Sequence, residues 1–202
     1  MCPKCYNLSM KGLTKNSSTL LEIKKSKFYC FGYIVHSVEE VDKIISQLHK
    51  QYVDATHICY AYVIASPNKE RAVDDGEPEG TAGKPILDVI KKKQLSNVLL
   101  VVVRYFGGVK LGAGGLVRAY SQGASLAVDA AGISDYDVAN YYSAILPISI
   151  AKEFNNYLNS VGANVESIVY AEQVIIKFSI FGEVEYTGVT LKLLDSKLTK
   201  KE

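Results

Sequence analysis

The alternation of apolar and polar residues along the first two thirds of the chain predicts strands interleaved with helices. Strands favour β-branched and aromatic residues, and four segments have that composition: residues 19–23, 28–35, 57–65 and 98–105. The last segment contains the most continuous apolar run and is expected at the centre of a sheet. Helices are expected after the capping sequence that starts at Ser37, after Pro85, and from Leu116 to a C-terminal cap at Gly132.

The pattern restarts near Val138 and predicts a second, smaller unit. Its expected elements are a strand over residues 140–148, a helix over 151–161, a hairpin over 165–181 and a final helix over 185–198, with Leu191, Leu194 and Leu198 on one stripe. This β-α-β-β-α order is that of a ferredoxin-like fold lacking its last strand. The predicted fold class is α+β. We expect a mobile basic N-terminus over residues 1–18, a first domain over 19–137 and a ferredoxin-like C-terminal domain over 138–202.

The composition and the net charge limit the classes of protein to be considered, but they do not identify the function. The 202 residues carry a net charge of +2, which does not by itself indicate a nucleic-acid-binding protein. Up to Asp137, Lys and Arg together outnumber Asp and Glu by three, whereas from Val138 onward they are outnumbered by one. An anion site is therefore expected in the first domain. No run of about 18 apolar residues is present, which predicts a cytoplasmic protein without a membrane span. Cys2 and Cys5 lack a second Cys pair, so their role stays open.

An acidic loop, residues 74–84, is the first segment whose side chains suggest a functional site. It contains four carboxylates, a hydroxyl group and a lysine: Asp74, Asp75, Glu77, Glu79, Thr81 and Lys84. Carboxylates this close repel one another, so the loop needs a positive partner, a bound cation or open solvent. A divalent cation is a candidate ligand here, and no other cofactor is expected. The alternative is a solvated surface loop.

A glycine-rich loop, residues 104–115, is the second such segment. It follows a predicted strand and precedes a predicted helix, so backbone amides and the positive end of a helix dipole meet there. Cationic side chains flank the glycines, and guanidinium groups suit phosphate or carboxylate. The predicted anion or nucleic-acid site consists of Arg104, Lys110, Gly112, Gly114, Gly115 and Arg118. The alternative is a tight turn whose glycines serve packing alone. We expect the two loops to face each other because their charges are opposite.

An enzymatic role would require these loops to converge on a reactive group. The candidate catalytic residues are His57, Asp74, Asp75 and Glu77. Carboxylates that hold a metal beside a phosphate-binding loop would suit metal-assisted phosphoryl transfer or hydrolysis. The sequence contains no Gly-x-Ser-x-Gly or His-Glu-x-x-His motif, and a lone histidine more often has a structural role. No catalytic residue is therefore assigned.

Three motifs resemble those of the IMPACT/YigZ family. They read Asp54-Ala55-Thr56-His57, Asp74-Asp75-Gly76-Glu77-Pro78 with Gly80-Thr81-Ala82-Gly83-Lys84-Pro85, and Arg104-Tyr105-Phe106-Gly107-Gly108 with Lys110-Leu111-Gly112 and Gly114-Gly115-Leu116-Val117-Arg118-Ala119-Tyr120. The resemblance implies a first domain similar to the second domain of ribosomal protein S5. It also implies a second domain similar to the last ferredoxin-like domain of elongation factor G. Eukaryotic members of the family regulate translation.

Three functional hypotheses follow. The leading one is a binding or regulatory protein linked to translation, which contacts RNA or another anionic partner through the glycine-rich loop. A metal-assisted enzyme that uses both loops is the first alternative. A protein-interaction module that docks a basic partner on the acidic loop is the second. The oligomeric state stays open.

Overall fold

The computed structural model describes residues 10–65 and 68–200, which form two compact units. One unit comprises Met10–Ser134, and the other begins at Asp135, a few residues before the expected boundary. Residues 1–9 of the predicted mobile N-terminus, with Cys2 and Cys5, lie outside the described residues. For the rest of that segment the expectation is wrong. Met10–Leu13 forms strand β1, and Leu13 anchors it because its side chain is buried in the core of the first unit.

A five-stranded antiparallel sheet forms the centre of the first unit. Its strands are β2 (Ser17–Ile23), β3 (Ser26–Ile34), β4 (His57–Ile64), β5 (Lys69–Val73) and β6 (Val98–Tyr105), in the order β2-β3-β6-β4-β5. β6 pairs with both β3 and β4 and is buried from Val98 to Arg104, which confirms the predicted central strand. The apolar pattern does not predict β5, because most of its residues are exposed at the edge of the sheet.

Three helices cover the two faces of this sheet. They are α1 (Val38–Gln51), α2 (Gly83–Lys92) and α3 (Ala113–Ala131). The apolar side of α1 packs on one face, whereas α2 and α3 pack on the other. The predicted capping sequence is confirmed: the Glu40 amide donates to Ser37 Oγ over 3.2 Å, and the His36 amide donates to Glu40 Oε2 over 2.8 Å. Both loops of interest belong to this unit.

The second unit contains a helix and an antiparallel sheet. Its elements are β7 (Ile133–Leu146, whose first two residues belong to the first unit), α4 (Ile148–Ser160), β8 (Asn164–Tyr170), β9 (Val174–Phe181) and β10 (Thr190–Lys200). Within this unit β7 pairs with both β9 and β10, and β9 pairs with β8. Phe154 and Leu158 of α4 are fully buried against the apolar residues of the sheet. The predicted hairpin is confirmed as the antiparallel pair β8 and β9.

The predicted final helix over residues 185–198 is wrong. Residues 190–200 form β10, which pairs antiparallel with β7 and contains an irregularity between Leu193 and Asp195. Of the predicted stripe, Leu194 is 49% exposed and Leu191 is only partly buried, so the leucine spacing does not mark a buried helical face. Pairing with β7 satisfies the backbone of this segment instead. A loop connects β9 to β10 at the position where a ferredoxin-like fold has its second helix.

None of the helices in the described part of the chain combines the length and the apolar character needed to cross a membrane.

Candidate functional site

A buried ion pair joins the acidic loop to the glycine-rich loop. Arg104 Nη1 donates to Glu77 Oε1 over 2.5 Å, and the two residues are only 5% and 7% exposed. The expectation that the two loops face each other is confirmed. Arg104 is the penultimate residue of the central strand β6, which fixes its position, whereas Glu77 arrives from a loop. Loss of either charge would leave the other buried without a counter-charge, which strongly destabilises a folded protein.

Tyr120 and Cys59 extend this pair into a buried polar network. The Tyr120 hydroxyl of α3 donates to Glu77 Oε1 over 2.7 Å, and the Cys59 thiol of β4 donates to the Asp74 carbonyl over 2.9 Å. Burial raises the pKa of both Tyr120 and Cys59 above their usual ranges. Both groups therefore stay protonated near neutral pH and act as neutral donors. The sequence-based prediction of the site includes neither residue, although Tyr120 ends one of the quoted motifs.

The guanidinium of Arg104 lies against two aromatic rings. Its Cζ is 5.6 Å from the ring centroid of Phe28 and 5.6 Å from that of Phe106. Phe28 is fully buried, whereas Phe106 is 46% exposed. Arg104 Nε is buried and has no hydrogen-bond partner among the described residues. One donor of the guanidinium is thus enclosed by the protein without an acceptor in the described part of the chain.

Asp74 holds the acidic loop in shape. Its carboxylate accepts hydrogen bonds from the amides of Gly80, Ala82 and Gly83, over 2.8, 3.0 and 2.8 Å. Burial favours the neutral carboxyl, but these amides outweigh it and lower the pKa of Asp74. Because Ala82 precedes α2 and has no capping side chain, Asp74 takes over the capping of that helix.

Asp75 and His57 are also bound to backbone groups. Asp75 Oδ2 accepts from the Ile58 amide over 2.6 Å, and the Asp75 carbonyl lies 2.7 Å from His57 Nδ1. Since a carbonyl only accepts, Nδ1 carries the hydrogen and Nε2 of the neutral ring is an acceptor. His57 Nε2 is 3.9 Å from Glu77 Oε2, which is beyond hydrogen-bonding distance.

The start of the glycine-rich loop is fixed by the residue before β4 and by the first residue of β3. The Phe106 amide donates to Thr56 Oγ1 over 3.0 Å, and the Gly107 amide donates to Ser26 Oγ over 3.1 Å. A Cβ atom at Gly107 would lie 2.0 Å from the Lys25 carbonyl carbon, so only glycine fits at this contact. The loop therefore follows a defined path before α3 begins.

The end of the glycine-rich loop forms the N-terminus of α3. Gly112 precedes the helix with φ +71°, and its carbonyl accepts from the amides of Gly115 and Leu116 over 3.0 and 2.9 Å. The amides of Ala113 and Gly114 lie in the first turn of α3, where backbone N–H groups have no acceptor within the helix. The helix dipole is positive at this end.

A cleft of about 300 Å³ opens where these parts meet. Polar and charged groups on its wall come from Thr56, His57, Glu77, Arg104 and Lys110, and carbon surface comes from Pro78, Phe106, Leu111, Gly112, Ala113 and Leu116. Cations, a helix N-terminus and an exposed ring thus border one space. Such a mixture suits a ligand that is partly anionic and partly apolar.

The structure brings only some of the predicted site residues to this cleft. Arg104, Lys110 and Gly112 line it, as do His57 and Glu77. Gly114, Gly115 and Arg118 are not among its lining residues, and Arg118 is an exposed residue of α3. In the acidic loop, Thr81 Oγ1 donates to the Pro78 carbonyl, Lys84 pairs with Asp88 over 3.4 Å, and Glu79 is exposed. Sequence spacing alone does not separate these roles.

The described residues contain no group of three or more His, Cys, Asp or Glu side chains placed to hold a metal ion. The divalent cation considered as a candidate at the acidic loop would therefore need ligands beyond such a group of side chains. Backbone amides bind Asp74 and Asp75, and Arg104 neutralises Glu77.

The fold and the cleft define a two-domain α+β protein whose first unit contains a mainly apolar cleft bordered by two cationic side chains. The Impact N-terminal domain family matches residues 24–128, more than half of the chain. The IMPACT family member YvyE of Bacillus subtilis is 39% identical over 167 residues, which cover 82% of this chain and 76% of that protein. The chain therefore belongs to the IMPACT family.

Two further comparisons agree with this assignment. The family member YigZ of Escherichia coli is 40% identical over 110 residues, about half of each chain. A crystal structure described as that of a hypothetical protein has a TM-score of 0.62 and 28% identity, and the match covers 85% of each chain. The predicted family and two-domain α+β fold class are confirmed.

Proposed function

We propose that the cleft of the first unit binds a phosphate group of RNA, and that the protein is a binding or regulatory protein linked to translation. The observation that carries the proposal is Arg104. Its guanidinium is buried and borders the cleft, and its Nε has no hydrogen-bond partner among the described residues. Because Nε is enclosed by protein, the attraction for an anion comes from the positive charge of the guanidinium on the cleft wall and from Lys110 beside it.

Lys110 and the N-terminus of α3 supply the remaining attraction. Lys110 is exposed on the cleft wall, and Ala113 places the open amides of the helix at the same wall. Because Glu77 is already paired with Arg104, its carboxylate repels an incoming anion less than a bare carboxylate would. Phosphate is the anion that such helix ends and cations bind most commonly.

RNA is proposed as the source of the phosphate because of the family resemblance. Eukaryotic members of the family regulate translation, and the motifs that carry the resemblance form the walls of this cleft. Few cations border the cleft, so the affinity should be modest. It should fall with salt by about one unit of slope for each phosphate contact, because counterions are released from the phosphates.

Equilibrium titration of a labelled single-stranded RNA against salt tests the proposal. We expect Lys110→Ala to lower the affinity about equally for all sequences and to reduce the slope of log affinity against log salt by about one unit. Lys84→Ala is the matched control, because Lys84 pairs with Asp88 outside the cleft. Equal affinities of Lys110→Ala and the wild type would remove the cleft from the binding site.

A metal-assisted hydrolytic or phosphoryl-transfer enzyme is the second candidate, and His57 is the observation that favours it. Its Nε2 is an acceptor beside Glu77 on the cleft wall, the position that a general base would occupy. Turnover of a phosphoester that requires both added Mg²⁺ and His57 would support this function over simple binding. A protein-interaction module has less support, because Glu79 is the one acidic-loop carboxylate without a recorded hydrogen bond or ion pair among the described residues.

A further inference from the structure

Phe106 gives the cleft a feature that phosphate binding does not use. It is 46% exposed and lies on the cleft wall near Lys110, although burial would be expected for a ring of this size. One side of the ring contacts the guanidinium of Arg104, with 5.6 Å from Cζ to the ring centroid. An exposed ring backed by a cation is a surface on which a planar π-system can stack.

The ring is held in place before any ligand arrives. The rings of Phe28 and Phe106 both lie against the guanidinium of Arg104, and the buried ion pair with Glu77 holds that guanidinium in place. The Phe106 amide is bound to Thr56, and the next residue is Gly107, which contacts Lys25 so closely that a side chain cannot be accommodated. Little ordering is therefore required on binding, which favours affinity.

We infer that Phe106 stacks against one unpaired base of the RNA whose phosphate the cleft binds. The inference rests on the proposed function and specifies it: the ligand is single-stranded at this position. A cleft of about 300 Å³ is at the small end of ligand sites and suits about one nucleotide unit. Its carbon surface and its cations match a base and a phosphate.

Single-stranded RNA fits these observations better than the other anionic ligands. Inorganic phosphate offers nothing to an exposed ring. The bases of a duplex are stacked inside the helix and are recognised mainly through shape and backbone contacts. Stacking on aromatic side chains is tolerant of sequence, so the site should discriminate strandedness rather than base identity.

A fluorescent reporter at Phe106 provides a direct test, because the chain contains no tryptophan. In Phe106→Trp, a base that stacks on the indole should quench its emission in a saturable manner. We expect quenching by a single-stranded oligonucleotide, and none by inorganic phosphate or by a blunt duplex of the same sequence. Anisotropy of the labelled oligonucleotide, recorded in the same titration, reports binding independently. Binding without quenching would overturn the inference.

Affinity measurements separate this inference from the proposed function. Phe106→Ala should weaken binding of single-stranded RNA about five- to a hundredfold and leave the salt slope unchanged, whereas Phe106→Tyr should retain it. Val109→Ala is the matched control, since Val109 is exposed in the same loop and is absent from the cleft wall. If Lys110→Ala weakens binding but Phe106→Ala does not, stacking is refuted and phosphate binding stands. If the wild type binds no RNA at low salt, both are refuted, and a protein ligand becomes the better account of the exposed ring.

Discussion

Glu77 and Arg104 are 27 positions apart in the chain and form a buried ion pair of 2.5 Å. The pair connects the loop that follows β5 to the central strand β6, and Tyr120 of α3 donates to the same carboxylate. Three separate parts of the first unit thus meet at one oxygen atom. The pair sets the distance between the two loops and therefore the shape of the cleft.

Breaking this pair should destabilise the first unit strongly. We expect Glu77→Gln to lower the free energy of unfolding by about 3–5 kcal/mol, because Arg104 would keep a buried charge without a counter-charge. Urea unfolding measures the change. Glu79→Gln is the control and should change stability by less than about 0.5 kcal/mol, since Glu79 is exposed.

A double-mutant cycle tests whether Glu77 and Arg104 act as a pair. Combining Glu77→Met with Arg104→Met should cost clearly less than the sum of the single changes, because the double variant contains no uncompensated charge. Strict additivity of the two effects would show that the ion pair is not what couples the loops.

Asp74 should make stability depend on pH. Its pKa in the folded state is lowered from the ordinary 3.8 by three backbone amides. The stabilisation is therefore fully present above that ordinary value and is lost as the pH falls through the folded-state pKa. Asp74→Asn should destabilise the protein by about 1–3 kcal/mol at pH 7, because one amide loses its acceptor. The difference in the free energy of unfolding between this variant and the wild type should become smaller below pH 4. Unfolding curves at pH 7 and pH 3 measure that difference. A difference that stays constant would contradict this role.

Two glycines of the same loop should respond in opposite ways to alanine. Gly107→Ala should be strongly destabilising, because the new Cβ would lie 2.0 Å from the Lys25 backbone. Gly114→Ala meets nothing within 4 Å in the first turn of α3 and should be neutral or stabilise by up to about 1 kcal/mol. Thermal unfolding compares the two variants directly. Similar losses in both would mean that the loop tolerates no side chain anywhere, against the contact geometry found at Gly107.

The sequence predicts the first unit well because its signals are local or strongly periodic. The apolar run of β6 and the Ser37 capping sequence each depend on a few neighbouring residues, and both are confirmed. β5 is missed because an edge strand needs no apolar alternation. The helix predicted over residues 185–198 is wrong because leucine spacing alone does not determine a helical face, whereas pairing with the distant β7 makes this segment a strand.

The site shows the same limit more clearly. Opposite charges predict that the two loops meet, but not which carboxylate takes Arg104. From composition alone, any of the four acidic residues of the loop could pair with Arg104. Their roles separate because Asp74 reaches the amides at the start of α2, Asp75 reaches Ile58, and Glu77 alone points at the guanidinium. Tyr120 and Phe106 join the site through strand pairing and helix packing, which no spacing rule reveals.

A crystal structure of the protein with a short single-stranded RNA tests the central claim most directly. The account predicts a phosphate within hydrogen-bonding distance of Lys110 Nζ and of the open amides at the start of α3, with a base stacked on Phe106. An RNA strand bound elsewhere, with the cleft beside Arg104 left empty, would contradict it.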